Sequence, residues 1–250
     1  MNDSSLLKNR FADMSERSDE RNIWVCSDFL TEAEQSELIG MHFGNRIHFF
    51  GGYENAERVI AVFGDENEIF YPPDYPIAFI KIEPVSRNAE KFDNKLTHRD
   101  YLGSLMALGI RREMLGDIII DGRDAYVVCL SKIAQYIADG LSEVRHTTVK
   151  CSVTDSLPES TTPEPVYEEI IVSSARIDAL AATVYKISRS VSQNLIAGEK
   201  VFLNGAVVKN TSAEPKIGDK ISVRGYGRFV FVGVVKSTKK GRLVIGIEKY

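Results

Sequence analysis

The sequence has only three cysteines, Cys26, Cys129 and Cys151, and none stands in a CxxC pair. Such spacing provides neither a disulfide framework nor a zinc site, so three reduced, structural thiols are expected. The four histidines, His42, His48, His98 and His146, are too scattered to make a metal or nucleophile constellation. No Walker-type or dinucleotide-type glycine loop occurs, which removes the common nucleotide-binding motifs. Long apolar runs are missing too. Stretches such as Ile118–Ile120 and Phe229–Val232 fall far short of the ~20 residues that cross a bilayer. The opening MNDSSLLKNRFADMSERSDER is charged and has no apolar signal-peptide core. The expectation is a cytoplasmic protein with no membrane partner, metal, cofactor or small-molecule substrate.

What is present is an ordinary globular composition with an uneven charge. Hydrophobic residues make up 44% and charged residues 26%, enough apolar material for two or three packed domains in 250 residues. The net charge of −4 conceals an asymmetry. From Ile170 to Tyr250 there are 14 Lys and Arg against 5 Asp and Glu, a net of +9, which leaves −13 on residues 1–169. A basic segment in an acidic protein points to a polyanion partner for that segment; the plainer reading is a solvated charged surface.

The pattern divides the chain into four. Residues 1–72 read as a small α+β unit. It has a polar helix over Asn2–Arg21 and a second helix from the Thr31–Glu34 capping box to about His42. Strands follow at Arg46–Phe50 and Arg58–Phe63 around Gly51-Gly52-Tyr53. Residues 73–153 read strand-helix-strand-strand-helix-strand: Ile77–Glu83, Thr97–Leu108 ended by Gly109, Leu115–Ile120, Ala125–Leu130, a helix capped by Ser131, and Thr147–Val153. Asp121-Gly122 is the hairpin signal between the middle strands. That order is ferredoxin-like and shared with RNA-recognition-motif proteins. The glycine- and aromatic-rich third strand of such proteins is missing, since Asp124–Leu130 offers only Tyr126. Residues 154–169, with three prolines among Ser, Thr and acidic residues, read as a linker.

Residues 170–250 read as a helix-helix-β module. Ile177, Leu180, Ala181 and Val184 form the apolar stripe of one helix. Ser188 caps a second, Arg189–Ala197, with Val191 and Leu195 inward and Gly198 at its stop. Lys200–Val208 is a hairpin turned at Asn204-Gly205, and Gly218-Asp219 leads into the strand Lys220–Arg224. The polar face then carries Arg176, Lys186, Arg189, Lys200, Lys209 and Lys220. It suits structured RNA read by shape and phosphate contacts. Strands Arg228–Val235 and Arg242–Lys249 flank a basic tip, Lys236–Arg242, which is either a solvated hairpin end or a second RNA contact.

The series Arg176-Ile177-Asp178-x-Leu180, Ser188-Arg189-Ser190, Gly198-x-x-Val201-x-x-Asn204-Gly205 and Gly218-Asp219-x-Ile221-x-Val223 resembles the RNA-binding domain named after small-subunit ribosomal protein four. Ile177 stands where Leu is usual and Gln193 where Ala is common; neither is expected to alter the binding face. With Phe49–Tyr53 and the middle unit, the whole chain resembles the YlmH family of Gram-positive bacteria. The resemblance implies a ribosome-associated RNA-binding protein related to the RqcP-type factors, which act on stalled large subunits carrying peptidyl-tRNA. Its partners would be rRNA, tRNA and the large ribosomal subunit. It also implies phosphate contacts for Arg176, Arg189, Lys200 and Lys209, with Asp178 orienting Arg176 or capping helix groups; Ser188 and Asn204 complete the expected RNA-binding set with Lys186 and Lys220, while Asn204-Gly205 is read first as a turn.

Two other functional classes are open. One is a scaffold, linked to cell division, whose acidic residues 1–169 bind a protein while RNA localises it. The other is an RNA-modifying enzyme. Arg176-Ile177-Asp178 resembles a pseudouridine synthase motif but lies inside the binding module. His42-Phe43-Gly44-Asn45 resembles a synthetase ATP motif, with no nucleotide-binding parallel sheet expected around it. The expectation is therefore no catalysis.

Overall fold

The computed structural model describes residues 3–41, 43, 46–54, 56–85, 96–158 and 165–250. These residues form a mixed α+β protein of antiparallel sheets and six α-helices, in two units: the described residues up to 31 and from 37 to 158 in the first, 32–36 and 165–250 in the second.

The first unit opens with helix α1 (Asp3–Arg21), which buries Phe11; Asn2, where the helix was expected to begin, lies outside the described residues. Ser18 near its end donates to the carbonyls of Ile23 (2.7 Å) and Phe63 (3.1 Å), which ties the helix to the sheet beneath it. That sheet has three strands, β1 (Val25–Leu30), β2 (Ile47–Phe50) and β3 (Val59–Phe63), in the order β1-β3-β2. Helix α2 (Glu32–Ile39) lies between β1 and β2 in sequence and ends before His42, itself outside the described residues.

Strand β1 has no signal in the apolar pattern, because Ser27-Asp28 interrupts it. Its register shifts between Cys26 and Phe29, and the buried Ser27 hydroxyl repairs the ladder by accepting from the Ala61 N–H (2.8 Å) and donating to the Asp28 carbonyl (2.6 Å).

The rest of this unit is β4 (Ile77–Pro84), α3 (His98–Ala107), β5 (Leu115–Asp121), β6 (Asp124–Leu130), α4 (Ser131–Gly140), the short β7 (Glu143–Val144) and β8 (Thr147–Thr154). The strands order as β5-β6-β4-β8-β7. Asp100 closes the start of α3 by accepting from the Thr97 N–H (2.8 Å) and hydroxyl (2.7 Å). Ser131 is not the cap of α4. Leu130 holds that position, and the Ser131 N–H donates to the Pro76 carbonyl at 2.9 Å, so strand runs into helix without a side-chain cap.

One face of this sheet, with Ile80, Ile82, Val127 and Cys129, packs on Tyr101, Leu105, Ile133 and Ile137 of the helices. The other face turns Ile77, Phe79, Val128 and Leu130 onto Phe29, Ile60 and Val62 of the first sheet. Residues 1–72 and 73–153 therefore share a core rather than forming separate packed units. Polar contacts reinforce the seam. Asp117 accepts from the Tyr53 hydroxyl (2.7 Å) and the N–H groups of Glu57 (2.7 Å) and Arg58 (3.2 Å), and the Arg58 guanidinium donates to the carbonyls of Leu115, Phe29 and Arg112.

The second unit holds β9 (Val166–Val172), α5 (Ile177–Val184), α6 (Arg189–Ala197), β10 (Val201–Leu203), β11 (Ala206–Val207), β12 (Lys220–Val223), β13 (Gly227–Ser237) and β14 (Leu243–Lys249). Its sheet runs β11-β10-β12-β13-β14-β9.

The expected linker 154–169 is shorter than predicted. Thr154 belongs to β8, residues 159–164 lie outside the described residues, and β9 starts at Val166, paired with β14 from Val166↔Lys249 to Val172↔Leu243. Glu168 and Glu169 hid this strand; Glu169 is on its outer face, and Glu168, on the face that buries Ile170 and Val172, is itself exposed, as an edge strand tolerates. Ile177, Leu180, Ala181 and Val184 are buried as the stripe requires.

Helix α6 is rotated from expectation: Ser192 and Ile196 point inward, Leu195 packs at the margin, and Val191 is 40% exposed. The Ser188 cap fixes where the helix starts, and its next residues are turned toward α5.

Candidate nucleic-acid interface

Asp178, in the first turn of α5, is fully buried, and among the described residues it is the only buried side chain with a charge. A lone carboxylate there would be costly, and four charge-assisted bonds and an amide compensate it. Arg176, at the cap position of α5, donates through Nε and Nη2 to the two carboxylate oxygens at 3.2 Å each. Arg189, the first residue of α6, donates likewise at 3.1 and 3.3 Å. Gln193, one turn further along α6, adds its Nε2 at 3.0 Å. Burial pushes the Asp178 pKa up, but the hydrogen bonds from Arg189 and Gln193 and the charges of Arg189 and Arg176 outweigh it and hold the carboxyl below its ordinary value.

The two guanidinium groups keep one face to water. Their side chains are 30% and 45% exposed, and each has five N–H donors, of which the carboxylate engages two groups. Two arginines on one carboxylate leave a net positive, oriented pair on the surface.

Gln193 is the residue the sequence undervalued. Its departure from Ala was expected to leave the face unaltered, yet it completes the shell of Asp178. Its spacing of four from Arg189 on one helix was the available signal.

The other expected residues serve varied ends. Ser188 caps α6, accepting from the Val191 N–H at 3.2 Å, and its hydroxyl lies 2.9 Å from that of Ser190. Lys186 is exposed in the left-handed region (φ 54°) just beyond α5. Its N–H bonds the Thr183 carbonyl and the Ile187 N–H bonds that of Ala182, a helix stop usually given to glycine. Glu199 (φ 54°) ends α6 the same way and delivers the exposed Lys200 to the start of β10.

Asn204 and Gly205, at φ 49° and 77°, make the β10–β11 turn. The Asn204 side chain is committed there, donating to Asp219 (2.8 Å) and accepting from the Lys220 N–H (2.9 Å). Lys209 is exposed after β11, and Lys220 is half-buried at the start of β12. The structure thus gathers Arg176, Asp178 and Arg189 into one contact network, and fixes Asn204 and Lys220 in another. The basic tip is an exposed turn between β13 and β14, closed by the Thr238 N–H on the Arg242 carbonyl (2.7 Å).

Elsewhere, burial raises the thiols, Cys26 and Cys151 to about 11 and Cys129 to about 12, with Asp74 adding to the first. Among the described residues no three His, Cys, Asp or Glu side chains come together as a metal site would need. His42, Gly44 and Asn45 of the ATP-motif resemblance lie outside the described residues. No helix among them is long and apolar enough to cross a membrane.

The site defines a class: an α+β protein that presents an oriented arginine pair on a basic terminal unit. Comparison with known proteins gives the family. Residues 72–157 match a family model described as "Putative RNA-binding domain in YlmH". Over 227 residues the chain is 30% identical to the ribosome-associated protein quality control protein P2 of Bacillus subtilis, covering 89% of this chain and 86% of that protein. The chain belongs to the YlmH family. Among solved structures, the cell division protein YlmH from Streptococcus pneumoniae aligns with a TM-score of 0.48 at 18% identity, over 62% of this chain and 92% of that one.

Proposed function

We propose that this protein is a non-catalytic factor that grips structured RNA, ribosomal or transfer, on the large ribosomal subunit, and that it works in the cytoplasm on stalled subunits. The observation that carries this reading is the Arg176–Asp178–Arg189–Gln193 cluster, exposed in a segment, residues 170–250, with a net charge of +9. A buried carboxylate that holds two guanidinium groups in fixed directions suits a phosphate backbone of defined shape better than a diffuse positive surface does.

The second unit reads as a domain of the small-subunit ribosomal protein four type, whose two helices carry the arginines and whose β10–β11 hairpin carries Asn204. Lys186, Lys200, Lys209 and Lys220 extend the contact. The strand order β5-β6-β4-β8 with α3 and α4 on one face supports a ferredoxin-like reading of residues 73–153. The name of the Bacillus subtilis relative supports a place in ribosome-associated quality control.

The test is binding of the full chain to purified large subunits and to tRNA across a salt series. Arg176→Ala and Arg189→Ala each weaken binding and lower the slope of log affinity against log salt, by ~0.9 for each duplex phosphate no longer neutralised. Unchanged affinity in both variants overturns the assignment of the site.

A second RNA contact, in residues 72–157, is supported by the description of the matching family model. It would use edges and loops, because half of the open sheet face is covered by the first sheet.

A further inference from the structure

The connection between β3 and β4, residues 64–76, presents the most exposed large apolar side chain among the described residues. Phe70 is 94% accessible, and Tyr71 beside it is also exposed. Single exposed aromatics are common and by themselves mean little. This one sits on a loop held on both sides of it.

The Gly64 N–H donates to the Arg46 carbonyl at 2.9 Å, and Gly64 lies so close under the Trp24 ring that a Cβ there would overlap it. Asp65 builds a helical turn, its carbonyl accepting from the N–H groups of Glu68 (3.0 Å) and Ile69 (2.8 Å) and its carboxylate from Asn67 (2.9 and 2.8 Å). Ile69 is buried. On the far side, the Trp24 indole N–H donates to the Tyr71 carbonyl at 2.7 Å, and Pro72-Pro73 fixes two further φ angles. Phe70 is thus presented on a preorganised arch, the condition under which an aromatic anchor binds with little ordering cost.

The loop's own charges choose the partner. Residues 64–76 carry Asp65, Glu66, Glu68 and Asp74 and no Lys or Arg. Four carboxylates repel a phosphate backbone, so the arch does not suit stacking on RNA. We infer that the Phe70–Tyr71 arch is a protein-docking anchor that inserts into an apolar pocket rimmed by Lys and Arg on a basic protein. Proteins that share an RNA with this chain must themselves carry the positive charge that neutralises phosphates. The inference therefore rests on the RNA-binding reading for where the partner is met, but not for how it is gripped.

The test uses the full chain, immobilised, and as probe the RNA-free total protein extracted from purified large ribosomal subunits. Wild type and Arg189→Ala retain the same basic protein, identified by mass spectrometry, while Phe70→Ala retains at least tenfold less of it. Phe70→Ala keeps every carboxylate and removes an exposed ring, so its thermal melt matches wild type. Equal retention by Phe70→Ala, meaning charge alone, overturns the inference, as does no retained protein. A Phe70→Ala defect confined to binding of naked rRNA, or to self-association in sedimentation, overturns it as well. Because the probe contains no RNA, failure of the arginine variants on rRNA is read separately and leaves this result standing.

Discussion

Replacing Asp178 by Asn sets two physical expectations against each other. The change removes one negative charge and keeps the shape, so the cluster's net charge rises from about +1 to about +2. If the unit bound RNA by charge alone, affinity would rise at every salt concentration. If Asp178 works by aiming Arg176 and Arg189, affinity falls, because an amide NH2 now faces guanidinium donors and the pair loses its fixed direction. Removing one partner of a fully buried ion pair costs about 3–5 kcal/mol. Here the arginines are 30% and 45% exposed and can turn to water, so about 2 kcal/mol is the better figure. For a unit of this size that is a drop of about 10 °C in its melting transition.

The assay is fluorescence anisotropy with a structured RNA across a salt series, alongside a thermal melt by circular dichroism. The expected result is roughly tenfold weaker binding with a shallower salt slope. Tighter binding at all salts with an unchanged melt refutes the orienting role. The pH dependence has a fixed sign. The folded pKa of Asp178 lies below its ordinary 3.8, so its stabilisation is complete above that value and is lost as pH falls through the folded pKa. The melting difference between wild type and Asp178→Asn is therefore constant from neutral pH to about 5 and closes only below 3.8.

Asn204→Ala removes the bonds to Asp219 and the Lys220 N–H and puts a Cβ residue ill suited to φ 49° in the turn; a denaturant melt should show a loss of about 1–3 kcal/mol, with RNA affinity per folded molecule unchanged. Lys186→Gly should act oppositely on the two properties, raising stability by up to ~1 kcal/mol at the left-handed position while lowering the RNA salt slope by ~0.9, the value of one phosphate. Asp117→Ala removes the acceptor shared by Tyr53, Glu57 and Arg58 and should destabilise the first unit by about 2–4 kcal/mol, seen as an earlier transition of that unit alone.

Much of this fold was legible in the sequence because local signals and tertiary packing agree. The stripe Ile177, Leu180, Ala181, Val184 marks α5, Asn204-Gly205 marks its hairpin, and Thr97 with Asp100 marks the start of α3. What stayed hidden is what only distant partners determine. Strand β1 depends on Ser27 replacing a ladder carbonyl for Ala61, thirty-four residues away. Strand β9 carries the exposed pair Glu168-Glu169 and is a strand because β14 pairs with it. The turn of α6 follows from Arg189 and Gln193 reaching Asp178, a long-range attraction that the Val191 and Leu195 periodicity could not express. Arg176, Asp178 and Arg189 were nameable from sequence, whereas their convergence on one carboxylate, with Gln193, is a property of the folded chain.

The middle sheet explains why an RNA-recognition-like order of elements does not by itself locate an RNA surface. In such a sheet bases stack on aromatic side chains of the face away from the helices. Here Ile77, Phe79, Val128 and Leu130 of that face are packed against Phe29, Ile60 and Val62. The remaining part holds Lys81 between Glu83 (2.7 Å) and Asp124 (3.2 Å), and its aromatic ring, Tyr126, is only 6% exposed. A face that is half core, and whose Lys81 is closed in ion pairs, offers bases no flat exposed ring to stack on. Substituting Tyr126 with Leu should accordingly leave RNA affinity unchanged, and a tenfold loss in a variant that melts like wild type would return the stacking role to this sheet.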